Sequence, residues 1–199
     1  MPLTDEIAAK PFSARWPATA RGLFADASRP VDWPRALAAV GWIHLLAFAG
    51  CQVLYSTGDR TNWHYLAVWG AELAANLLAI RHFAGPSWAN RTPTLRLLAR
   101  MGTTLLIMKF NLVSLNYLTG IGTGWYRLAW VNLGAMTLAN LAWQIDLRFL
   151  AGAVLMFFSG LVMTKLPEWQ MASYGLAWWV AFQGAAVVVA AEARSEGCR

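Results

Sequence analysis

The chain is poor in charge and in the residues that carry hydrolytic, redox or metal chemistry. Of its 199 residues 13% are charged and 58% hydrophobic, whereas a soluble domain carries about 25% charged residues. That scarcity excludes an ordinary soluble domain. The two cysteines, Cys51 and Cys198, form no CxxC and define no disulfide framework. A bis-histidine haem needs two histidines at one depth on facing helices. The three here are expected at three depths, His44 near mid-membrane and His64 and His82 at opposite interfaces. No HExxH, GxSxG, paired aspartates or Cys/His metal spacing occurs, and no glycine loop is built to cradle phosphate. No cofactor, metal or catalytic residue is therefore expected, and an intramembrane enzyme is the least favoured class. A signal peptide is not expected either, because Asp5 and Glu6 come early and no short apolar run precedes a cleavage-like site.

What is abundant is apolar helix and tryptophan. Twelve Trp suit amphipathic rings gathered at two membrane–water interfaces. Residues 1–35 are broken by Pro2, Pro11, Pro17, Pro30 and Pro34, and the basic stretch SARWPATARGLF within them is a candidate surface-resting segment. Asp32 followed by Pro34 marks a helix start. Six apolar segments follow, at about 36–57, 63–81, 97–118, 125–145, 148–165 and 170–191, each near the ~20 residues that span a hydrocarbon core. Short loops rich in Gly, Pro, Ser and Asp separate them, so consecutive helices should be antiparallel neighbours. The expected domains are an N-terminal segment 1–35, a membrane domain 36–191 (hairpins about 36–81, 97–145 and 148–191) and a tail 192–199.

Basic residues orient the model topology. With six spans, twelve Lys or Arg fall on the side of both termini and three, Arg60, Arg127 and Lys165, on the other, while Lys109 lies inside a segment. By the positive-inside rule both termini should be cytoplasmic, in an inner-membrane-type protein. The same pattern accounts for the net charge of +6, so no nucleic-acid partner is implied.

The chain also repeats itself. Tyr55 to Ala67 aligns without gaps on Tyr117 to Ala129, with seven of thirteen positions identical at an offset of 62. After a two-residue shift, Gly70-Ala71 and Asn76-Leu77 meet Gly134-Ala135 and Asn140-Leu141. The offset joins one hairpin to the next, which makes the repeat parallel. A third hairpin keeps only Trp169 and Gly184-Ala185.

The polar residues inside these segments are the candidate site. Counted from the cytoplasmic ends at ~1.5 Å per residue, His44, Glu72 and Lys109 fall close to one depth near the midplane. A carboxylate there is costly unless paired, hydrated or protonated. Lys109 is the expected partner of Glu72, because consecutive helices should be adjacent, and imidazole changes charge near neutral pH. Amides surround this centre: Asn76, Asn111, Asn116, Asn132 and Asn140. On the fourth segment Asn132, Met136, Asn140 and Gln144 recur every four residues, a stripe expected to face the bundle interior. Gly102, Gly134, Gly152, Gly160 and Gly184 suit close helix packing.

The expectation is thus an all-α polytopic membrane protein of about six transmembrane helices, in three antiparallel hairpins with a parallel internal repeat. The leading function is a transporter or channel-like carrier of a proton, ion or small solute. The alternative is a non-catalytic accessory subunit of a larger membrane complex. Partners are the lipid bilayer and either further copies of the chain or that complex.

Overall fold

The computed structural model describes residues 32–58, 62–119, 123–144 and 147–197. The proline-broken N-terminal stretch, Arg60, Asp146, Cys198 and Arg199 lie outside the described residues. Among those described the protein is all-α. Its seven helices are α1 (Trp33–Ser56), α2 (Asn62–Ala84), α3 (Trp88–Arg91), α4 (Pro93–Thr119), α5 (Thr123–Gln144), α6 (Phe149–Lys165) and α7 (Gln170–Gly197), with a 3₁₀ turn at Pro167–Trp169. The six apolar segments each coincide with a long helix. The four-residue α3, an elbow before α4, was not legible in the pattern.

Local chemistry sets the boundaries. Asp32 caps α1 by accepting a hydrogen bond from the Arg35 backbone N–H at 3.1 Å, with proline in the first turn behind it. α1 and α2 are followed by Gly58 at φ +74° and Gly85 at φ +84°, where a left-handed residue lets the chain leave the helix. At Gly85 a side chain would also meet the Arg91 guanidinium at 2.8 Å, but that flexible end can shift, so it is the left-handed backbone that calls for glycine.

Three segments are long and apolar enough to cross a membrane: Trp33–Ser56, Pro93–Thr119 and Pro167–Ala191. α6 is apolar but has 17 residues, about 25 Å of helix. α2 and α5 have the length, at 23 and 22 residues, but histidine, glutamate and amides dilute their apolar character.

α1 packs most extensively on α7, then on α2; α7 packs also on α6, α6 on α5 and α5 on α4. Spatial neighbours therefore run α2, α1, α7, α6, α5, α4. The main core gathers Phe48 and Cys51 of α1, Val131 and Leu138 of α5, Met156 of α6 and Tyr174 and Trp178 of α7. A second cluster joins Trp33, Ala36, Ala84, Leu95 and Val189. It brings the starts of α1 and α4 to one end together with the ends of α2 and α7. The opposite end is tied by Gln52 of α1, whose amide donates to the Glu168 carbonyl at 2.5 Å and accepts from the Ala172 N–H at 3.1 Å. The helices thus run alternately up and down.

Glycines set the closest approaches, though not all of those expected. A Cβ at Gly134 would meet Trp178 at 3.2 Å, at Gly152 Leu138 at 3.2 Å and at Gly160 Val131 at 3.0 Å. Gly102 and Gly184 face open space. The tightest contact is one that composition did not single out: a Cβ at Gly175 would lie 2.5 Å from the Phe48 Cβ. Small residues of this kind let helix backbones approach closely.

Candidate functional site

His44 of α1 and Glu72 of α2 form a direct pair, imidazole Nδ1 against carboxylate Oε1, with side chains only 14% and 11% exposed. Glu72 needs such a partner, since an uncompensated carboxylate in an apolar interior is strongly unfavourable. The pairing differs from the sequence-based expectation. α4 packs chiefly on α5 rather than on α2, so Lys109 does not reach Glu72 as its ion-pair partner.

Lys109 instead lies in an aromatic cage. Its ammonium donates to the Tyr174 hydroxyl at 2.5 Å and lies 5.1, 5.2 and 5.5 Å from the ring centroids of Tyr174, Trp178 and Trp130. A cation this close to several ring faces is attracted by their quadrupoles, each contact contributing about 0.5–2 kcal/mol depending on desolvation. The Trp130 indole N–H donates to the Lys109 carbonyl at 3.2 Å, fixing α5 against α4.

The same aromatic residues also flank His44. Its ring lies 6.2 Å from Tyr174, 5.7 Å from Trp178, 4.8 Å from Phe48 and 6.4 Å from Phe182. Trp69, one turn before Glu72, meets Trp130 at 5.0 Å across the bundle. Residues from α1, α2, α4, α5 and α7 therefore converge on one centre. His44, Glu72 and Lys109 come together there as their depths suggested, with Tyr174 and Trp178 between the pair and the lysine.

The amides divide. Asn76 and Asn116 are half-buried, and their Oδ1 atoms have no hydrogen-bond partner among the described residues. His44 Nε2 is buried and likewise unpartnered. Asn111 and Asn132 are exposed. The Asn132 and Asn140 amides each donate at 2.9 Å to the carbonyl four residues earlier in their own helix, Leu128 and Met136. With Asn132, Gln144 and Met136 (63%) exposed, the α5 stripe points outward, not into the bundle. Bonding back within the helix satisfies one of the two amide N–H donors and leaves the other and the amide oxygen facing outward.

Two positions were missed. Tyr174 follows only from noticing that Tyr174, Trp178 and Phe182 recur every four residues on α7, an aromatic face at helical spacing. Arg127, read as a surface charge, is buried. Its guanidinium donates to Gln170 Oε1 at 2.6 Å and lies 4.6 Å over the Tyr55 ring. Nearby, Trp63, Tyr117, Trp125 and Trp169 are exposed, as an interfacial aromatic belt would be. Among the described residues no cluster of three or more His, Cys, Asp or Glu could hold a metal.

Fold and site together define a class: an all-α protein with three helices able to cross a membrane and a buried His–Glu pair beside a caged lysine. Comparison with protein-family models, curated proteins and solved structures gave no match.

Proposed function

We propose that the chain is a small multi-pass membrane carrier that moves a proton, ion or small solute by way of the centre formed by His44, Glu72 and Lys109. The observation that carries this reading is the direct His44–Glu72 pair beside Lys109 on Tyr174. Ionisable groups at membrane depth are costly and mark ion or proton pathways by default. The unpartnered His44 Nε2 and Asn76 Oδ1 add to it, because polar atoms that a water or small solute could satisfy suit a path better than a sealed strut. Asn76, Asn111, Asn116, Asn132 and Asn140 are the proposed flanking positions, the exposed ones at a contact between copies.

In this reading all six long helices span the inner membrane, within a domain of residues 36–191. The segments 1–35 and 192–199 are cytoplasmic. The internal repeat is consistent with matched exposure of Trp63 (74%) and Trp125 (73%) near the starts of α2 and α5. A chain of 199 residues encloses little volume alone, so the carrier works as a homo-oligomer.

Purified protein in sealed vesicles under proton and monovalent-cation gradients provides the test. Glu72→Gln keeps volume and hydrogen bonding but removes the exchangeable charge. Flux should fall to background while assembly stays intact, and His44→Gln should change the pH response of the same flux. Absence of flux, with Glu72→Gln dissociating the chain from a larger complex, would favour the second reading.

That second reading, an accessory membrane subunit, has its own observation. The outward amide Asn132 lines a groove of about 510 Å³ between α5 and α6, with Ala135, Met136, Ala139, Ala153 and Phe157. An outward amide at membrane depth beside small residues suits a partner helix.

A further inference from the structure

A second concavity, lined by none of the residues of the polar centre, lies at the elbow between α3 and α4. It has a volume of about 770 Å³ and is lined by Ala89, Asn90, Arg96, Ala99, Arg100, Thr103 and Thr104. Arg96 and Arg100 stand one turn apart on α4 and are exposed. Neither guanidinium has an ion-pair partner among the described residues. No acidic residue occurs between Glu72 and Asp146, so this segment of the chain supplies no counter-charge. Two planar five-donor cations in one cavity are suited to the oxygens of a phosphate.

The rest of the same helix face says where that phosphate comes from. Thr103 and Thr104 donate their hydroxyl protons to the carbonyls of Ala99 and Arg100 at 2.8 and 3.0 Å, so they form a polar band of intermediate depth and are not free donors to a ligand. Beyond them the face becomes apolar, with Ile107 and Phe110 61% and 67% exposed. Cations, then hydroxyls, then hydrocarbon follow the order of a phospholipid from headgroup through glycerol to acyl chain. Depth is compatible: α4 has 27 residues, and the ~20 that cross hydrocarbon leave Arg96 at headgroup level and Arg100 at its edge, where a long side chain can reach back to the headgroups.

We propose that this elbow is a binding site for an anionic phospholipid, with Arg96 and Arg100 on the phosphate, Thr103 and Thr104 at the glycerol and the acyl chains along Ile107 and Phe110. The lipid supplies the charge that the protein lacks in this segment. It also covers a helix whose most apolar stretch has no buried residue, which makes it a fixed component of the α4 surface.

Native mass spectrometry of the delipidated full chain tests this, titrated in turn with dioleoylphosphatidylglycerol, dioleoylphosphatidylcholine and inorganic phosphate. Retention of phosphatidylglycerol should exceed that of phosphatidylcholine by about tenfold, as expected when two cations face an added anionic headgroup. R96Q/R100Q should reduce the two lipids to parity. R81Q/R148Q, an equal loss of charge outside the cavity, should leave the preference in place. Equal retention of both lipids by the unaltered chain would overturn the site, whatever the variants do. Equal loss in both double variants would reduce it to general surface charge. Saturation by inorganic phosphate at the lipid's concentration would replace the lipid with a free anion.

Discussion

Lys109 sits inside a helix apolar enough to cross a membrane, without a carboxylate in contact. Its stabilisation is divided among a phenol oxygen and three ring faces, whereas Glu72 concentrates its stabilisation in one imidazole. The two charges should therefore respond differently to mutation. Removing His44 from the buried His44–Glu72 pair should cost about 3–5 kcal/mol, since the surviving carboxylate is left without its partner. A double-mutant cycle with His44→Gln and Glu72→Gln should show coupling of about 0.5–3 kcal/mol. The corresponding cycle of Glu72→Gln with Lys109→Gln should be smaller, and reversible unfolding in mixed micelles measures both. Larger coupling between Glu72 and Lys109 would restore the pairing that depth alone suggested. Depth was legible because a helix advances by a fixed rise per residue. Partnership was not, because it depends on which helices touch, and the aromatic side chains of α7 had no polar signature to reveal their part.

At the level of elements, helix spans were legible and helix neighbours only in part. Apolar length, Asp32 with Pro34, and the glycines at 58 and 85 are local signals, and each fixed a boundary to within a few residues. The hairpin pairs α1–α2, α4–α5 and α6–α7 follow from short loops. The α1–α7 contact does not, because it joins the first and last helices in chain order. Glycine substitutions distinguish these cases. Gly175→Ala places a methyl against the Phe48 Cβ and should destabilise by about 1–3 kcal/mol through overpacking. Gly184→Ala, on the same helix but facing open space, should be neutral or stabilise by about 0.5–1 kcal/mol as helix propensity rises. Thermal inactivation of the two variants in detergent should move in opposite directions or, at least, differ by that sum. The outward amides on α5 are the counterexample to periodic reading. A four-residue stripe shows that residues share a face, but the face that turns inward is chosen by the neighbouring helix.

For the whole molecule the strongest global signal is charge. Arg35, Arg81, Arg91, Arg96 and Arg100 all lie at or near the end marked by the Trp33–Val189 cluster, and Arg127 and Lys165 lie towards the other. By the positive-inside rule the first end is the one expected to be cytoplasmic, and thiol labelling tests it. In a background lacking Cys51 and Cys198, a cysteine at Ser87 should react with an impermeant thiol reagent only from the cytoplasmic side. One at Thr57 should react only from the opposite side. Labelling of both from one side would break the hairpin topology. Composition and charge suffice for this much because both act through the membrane as solvent. The bundle's internal order needs contacts between residues more than 100 positions apart, such as Gln52 with Ala172 and the Gln183 amide with the Ala38 carbonyl at 3.1 Å.

The pairing of α1 with α7 has a consequence for how the molecule is made. Synthesis proceeds from α1 towards α7, so the helix with the most extensive contacts to α1 is the last to emerge. Until it does, His44 lacks Tyr174, Trp178 and Phe182, and the Lys109 ammonium lacks its phenol acceptor. On the membrane reading proposed above, the centre has only the His44–Glu72 pair of the first hairpin to draw on for most of translation. That early pair, on the first two long helices, is the part of the site that can form while the rest is still on the ribosome.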